Sequence, residues 1–140
     1  MKKEIEIELI PYPCAEETKK IRDHGWGCGY VKIPKGHPIL IKIELKTPYR
    51  MFDLYGDGFH EDITYTEWDD EYEFFKIGFD TMHMRHDSSD DLKYVTDTTL
   101  KLKKIVENYT IKDAEDDVEN YIKERKLRLL NELDMLGKLD

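Results

Sequence analysis

The hydrophobic period of this chain changes partway along, and that change limits the folds open to it. Up to about Asp80, apolar residues come in short alternating runs broken by Gly, Pro and Asp; beyond Ser88 they recur at helical spacing. Alternation with period two gives strands with one wet face, whereas the three-and-four spacing gives amphipathic helices. Strands first and helices second predict an α+β domain: an antiparallel sheet of five to six short strands, followed by two C-terminal helices packed on it. The 140 residues amount to one domain, spanning 1–140.

The strand readings are as follows. Glu4 to Ile10 alternates Glu with Ile or Leu, and Pro11 and Pro13 end it. Ala15 to Asp23 is compatible with a short helix or a loop. Tyr30 to Ile33 follows the glycine-rich turn Gly25-Trp26-Gly27-Cys28-Gly29, and Ile39 to Leu45 reads as a third strand with Ile39, Ile41 and Ile43 on one face. Met51 to Tyr55, Ile63 to Thr66 and Phe74 to Phe79 complete the set, with a turn at Asp69-Asp70-Glu71. Ser88 and Asp91 have capping-box spacing before the first helix, and Thr110 with Asp113 signals the second. In that second helix, covering 111–137, acids near the start and bases later suit the helix dipole, and Gly137 is a stop signal. Its leucine-rich face has two readings: completion of the core, or a seam with a second copy in a homo-oligomer.

Charge and cysteine content narrow the partners. The formal charge is −9, from 31 acidic and 22 basic residues, so duplex DNA and anionic membranes are repelled at long range, and no basic run with interleaved aromatics offsets this. Non-specific nucleic-acid binding and membrane association are therefore not expected. DNA mimicry is a further reading of such acidity, beside plain solvation of the surface. The only two cysteines, Cys14 and Cys28, do not make a secreted disulfide framework. No apolar run approaches ~18 residues, and MKKEIEIELI lacks the unbroken apolar stretch of a signal peptide. A cytoplasmic location with reduced thiols is the expectation.

The segment richest in chemistry is Phe79-Asp80-Thr81-Met82-His83-Met84-Arg85-His86-Asp87. Asp80, His83 and Asp87 are three and four apart, so a helical turn would set them on one face. Imidazole with carboxylate forms an acid–base pair or part of a divalent-metal site. His83 and Asp80 are the catalytic candidates; with His37 and His60 they are also the candidate ligands of a zinc or manganese ion. Further ligand-binding candidates are His37, His60, Asp87, Trp26 and Tyr65, the two aromatics through stacking. Against each stands a structural reading: His and Asp cap turns and helices, and Trp and Tyr fill cores. Glu61, Asp62 and Glu67 add carboxylates near His60. A zinc set of Cys14, His24, Cys28 and His37 matches no usual finger spacing, and the Gly25-x-Gly27-x-Gly29 run lacks the following helix of a phosphate loop.

Three islands resemble a family of small uncharacterised bacteriophage and prophage proteins: Gly29-Tyr30-Val31 with Pro34 and Gly36-His37-Pro38; His60 followed by Ile63-Thr64-Tyr65; and Phe74-Phe75 followed by Gly78-Phe79-Asp80 and His83. The likeness covers about residues 28–108. Glu61 and Asp62 depart from it, since the family pattern carries two glycines there. The resemblance ties His37, His60, Asp80 and His83 to the matched islands and implies a bacterial host cytoplasm. On that basis the expected function is a phage-type accessory protein with a His/Asp-lined pocket. The pocket would bind, or bind and hydrolyse, a small phosphorylated or nucleotide-like ligand, with or without a divalent metal. The alternative is a non-enzymatic acidic inhibitor of a host protein, such as a host-defence or nucleic-acid-processing factor, docking through Asp69, Asp70, Glu71 and Glu73 or the acids from Asp113 to Glu119.

Overall fold

The computed structural model describes residues 4–13, 24–46 and 51–138. Four strands, β1 (Glu6–Pro11), β2 (Gly27–Pro34), β5 (Tyr65–Trp68) and β6 (Phe74–Phe79), form one antiparallel sheet in the order β1-β2-β6-β5. Two-residue strands β3 (Phe52–Asp53) and β4 (Asp62–Ile63) form a separate antiparallel pair. Helix α1 (Ile39–Lys46) follows β2; α2 (Leu92–Asn108) and α3 (Ile111–Gly137) close the chain. The α+β class holds, with four strands in the main sheet in place of five or six. Ala15 to Asp23 lies outside the described residues.

Alternation decides the sheet's two faces. Gly29, Val31 and Ile33 of β2 are buried while Tyr30 and Lys32 between them are half-buried. Ile77 and Phe79 of β6 join the same inner face. Helix α2 lies across it and buries Val95, Thr98, Thr99, Leu102 and Val106, spaced along one stripe. The approach is close at Gly29: a Cβ there would stand 2.0 Å from Thr99 Oγ1 and 2.8 Å from the Phe79 ring. Gly25 and Gly27 are crowded likewise, by Thr81 and by the backbone of Ile10. The glycine run is thus a packing device.

Three local readings are corrected. The third strand expected over Ile39 to Leu45 is helix α1: the His37 Nδ1 accepts the Ile39 N–H at 3.2 Å, and Leu40 and Ile41 N–H groups bond back to His37 and Pro38. As a helix the segment buries Ile39 and Ile43, four apart, and turns Ile41 outward at 43% exposure, whereas a strand would have put all three on one face. The expected strand over Met51 to Tyr55 shrinks to β3 and runs into a 3-10 turn at Tyr55–Asp57. The strand over Ile63 to Thr66 is divided, because the chain changes sheets at Thr64, whose N–H bonds Gly78 O.

The helix caps also separate. Asp91 alone caps α2, accepting the Tyr94 N–H at 3.0 Å, without the Ser88 half of the expected box. The Thr110–Asp113 capping box at the start of α3 is complete. Unlike α2, helix α3 makes its main contacts with α1. Lys42 pins that junction: it pairs with Asp57 at 2.6 Å and Asp117 at 4.0 Å and sits 5.5 Å over the Tyr109 ring. Only Ala114 of α3 is buried, and every residue from Glu119 to Lys138 is exposed. The helix therefore does not complete the core, and the reading of two helices on the sheet holds for α2 alone.

Candidate functional site

Strand β6 ends at Phe79, and the next twelve residues turn back toward α2 across the loop that carries His60 and Glu61. Glu61 organises this junction. Its side chain is 2% exposed and accepts from Arg85 Nη2 at 2.6 Å, from His86 Nε2 at 3.0 Å and from the Tyr94 hydroxyl at 2.5 Å. A buried carboxylate is tolerable only when its lone pairs are filled in this way. His86 Nδ1 accepts the His83 N–H at 3.0 Å, so the ring's proton lies on Nε2, facing Glu61. The Tyr94 oxygen, having donated to Glu61, accepts from His60 Nε2 at 2.9 Å. Burial, then the Glu61 carboxylate, pushes the Tyr94 phenol well above its ordinary range.

On this base stands the expected pair. Asp80 is held by two donors, Thr64 Oγ1 at 2.8 Å and the Met82 N–H at 3.0 Å. Its Oδ1 faces His83 Nε2 at 3.4 Å. That nitrogen is buried and makes no hydrogen bond, while the His83 side chain as a whole is 38% exposed. One nitrogen of the ring is therefore turned to a fixed carboxylate, while part of the side chain stays exposed. The His83 and His86 rings lie 5.4 Å apart, and the Arg85 side chain is 49% exposed despite its bond to Glu61.

The other predicted residues lie apart from this pair. His37 caps α1. His60 is exposed and engaged with Tyr94. Asp87 caps its own turn, accepting the Ser89 N–H at 2.8 Å and the Ser89 hydroxyl at 2.5 Å, which hold its carboxyl below the usual range. Trp26 is buried in the core at 8% exposure. Tyr65 lies on the outer face of the sheet, edge-on to Tyr30 at 5.2 Å with Lys76 nearby. His24 bonds Gly25 O at 2.7 Å, and Cys14 lies outside the described residues.

Among the described residues no group of three or more His, Cys, Asp or Glu side chains is arranged to hold a metal. His37, His60, Asp80 and His83 are thus not gathered into one ligand set; only Asp80 and His83 meet. The residues that sequence reasoning underweighted are Glu61, Arg85, His86 and Tyr94. In the sequence Glu61 stands out only as one carboxylate near His60, and Arg85 and His86 only as members of the segment from Phe79 to Asp87; no spacing ties them to one another or to Tyr94.

No helix among the described residues is long and apolar enough to cross a membrane. No family model matches the chain, and neither does any curated protein or solved structure.

Proposed function

We propose that the chain is a small phage-type accessory protein that binds a small phosphorylated or nucleotide-like ligand at the edge formed by Asp80, His83 and Arg85. The observation that supports this reading is the fixed Asp80 carboxylate facing one nitrogen of a half-exposed His83 at 3.4 Å. Asp80 sets a negative charge beside the imidazole, and in this reading the exposed part of the ring donates to, or takes a proton from, a ligand oxygen. Arg85, anchored by Nη2 to Glu61 and by Nη1 to the His60 carbonyl at 3.5 Å, keeps further N–H donors on a half-exposed side chain for an anion. Binding is the core of the proposal. A hydrolytic step would need an activated water, for which His83 is the base at hand.

The test is a titration with inorganic phosphate and ATP, followed by amide and imidazole NMR shifts in wild type and His83→Ala. Shifts centred on residues 80–86, with affinity at least tenfold weaker in a variant of unchanged melting temperature, support the site. A folded variant that binds as wild type, or a wild type that binds neither probe, would overturn it.

The acidic-inhibitor reading draws on a different observation: Asp69, Asp70 and Glu71 are exposed together at the β5–β6 turn of a chain with net charge −9. Complexes formed through that turn should weaken steeply with added salt.

A further inference from the structure

Exposed apolar side chains are concentrated on α3. Ile111, Ile122, Leu127, Leu129, Leu130, Leu133, Met135 and Leu136 are each at least half exposed. Eight apolar side chains open to water on one helix are a standing invitation to association. The pattern of the stripe says with what. The positions Ile111, Ala114, Val118, Ile122, Arg125, Leu129, Leu133 and Leu136 lie on one helical face, and their steps of three and four residues read the same from either end. Such a stripe is self-complementary when two copies run antiparallel.

We propose that α3 pairs with α3 of a second copy, antiparallel, about a two-fold axis between Lys123 and Glu124. Ile111 then meets Leu136 of the other copy, Val118 meets Leu129 and Ile122 meets Arg125, while Leu133 lies opposite the already buried Ala114. Ala114 and Val118, near the start of the stripe, lie opposite the larger Leu133 and Leu129 near its end. The start of the stripe is also recessed: an apolar depression of about 360 Å³ is lined there by Ile41, Ile111, Ala114, Glu115, Val118 and Glu119. This arrangement seats Leu133 and Leu136 of the second copy in that depression, twice by symmetry.

Charge chooses the direction. Beside the stripe, Glu119 and Lys126 share one flank, and the antiparallel register sets each against the other across the axis. Lys112 likewise meets Asp134, and Arg128 reaches Asp117 and Tyr121. A parallel, in-register pair would instead bring opposite flanks together and set Lys126 against Arg128 and Glu119 against Asp117. Area chooses the overlap. A helix of 27 residues is ~40 Å long and ~11 Å across, so half its surface is about 700 Å², near the ~800 Å² per partner of a stable interface. Overlap of the exposed portion from Glu119 onward alone would bury about 500 Å², further below that size.

The experiment uses the full chain, with solution mass read by sedimentation equilibrium from 1 to 200 µM. A dimer of twice 16.7 kDa is expected. Leu129→Glu with Leu133→Glu should give a monomer that retains the melting temperature of the folded body. Glu119→Lys and Lys126→Glu should each weaken the dimer at least tenfold, and the two together should restore it, since each reversed charge again meets its opposite. A monomer across the whole range would overturn the proposal. A dimer unaffected by the leucine changes would place the interface elsewhere. A dimer that the double charge reversal fails to restore would refute the antiparallel register.

Discussion

Replacing Glu61 by alanine tests whether one buried carboxylate holds the site loop in place. The side chain is 2% exposed and serves three donors. Those donors do not suffer equally when it is removed. His86 Nε2 is buried and has no other acceptor, which costs about 1–3 kcal/mol. Tyr94 keeps its bond from His60 but loses the acceptor for its own proton, about 1 kcal/mol if water does not reach it. Arg85 is half exposed and regains water, so its loss is about 0–1 kcal/mol. A vacated volume of roughly 50 Å³ adds about 1 kcal/mol. The sum is about 4 kcal/mol, or a fall in Tm of roughly 10–15 °C for a chain of this length. Glu61→Gln keeps an acceptor oxygen and most of the volume, and should lose only about 1–2 kcal/mol. Urea unfolding followed by tryptophan fluorescence measures both, because Trp26 is in the core. Alanine within about 1 kcal/mol of wild type would refute the anchoring role. Glutamine as costly as alanine would show that charge, and not acceptor geometry, joins the loops.

Two other outcomes follow from the packing and from burial. Gly29→Ala drives a methyl into Thr99 Oγ1 and the Phe79 ring and should destabilise the fold by about 1–3 kcal/mol in urea, with partial recovery when Thr99→Ala is added; a neutral Gly29→Ala would mean that α2 is free to lift from the sheet. Burial, the largest cause, together with the neighbouring Cys28 pushes the Tyr12 phenol up to about 12, so the folded protein keeps a proton that the unfolded chain loses near pH 10. The stability due to Tyr12 is therefore full below pH 10 and declines between pH 10 and 12, and Tyr12→Phe should flatten that limb of the stability–pH curve. An unchanged alkaline limb in the variant would count against this assignment.

Sequence patterning was most legible where burial is one-sided. The alternation in β2 and the stripe of α2 follow directly from one face meeting water and the other meeting a core. The Thr110–Asp113 box was equally readable, since capping depends on residues within one turn. Ile39 to Leu45 was not, because Ile at alternate positions serves a strand, while Ile39 and Ile43 alone serve a helix. The local cap from the Ile39 N–H to His37 is compatible with a helix, but what decides is the core, which takes Ile39 and Ile43 and leaves Ile41 outside. The site divides in the same way. Asp80 and His83 are three apart, and a single turn brings them together. Glu61 meets Arg85, His86 and Tyr94 across 24 to 33 positions, a convergence to which spacing is blind.

The sequence by itself determined that two helices follow the strands, the inward faces of the sheet and α2, the start of α3 and the local Asp80–His83 pair. These rest on periods of two to four residues, which local backbone geometry enforces. Tertiary structure alone decided that α1 is a helix, that Glu61 is buried among three donors, and that α3 leaves the core with its apolar stripe uncovered. Each of these depends on which distant segment reaches a surface first, and that is fixed only when the sheet and helices pack.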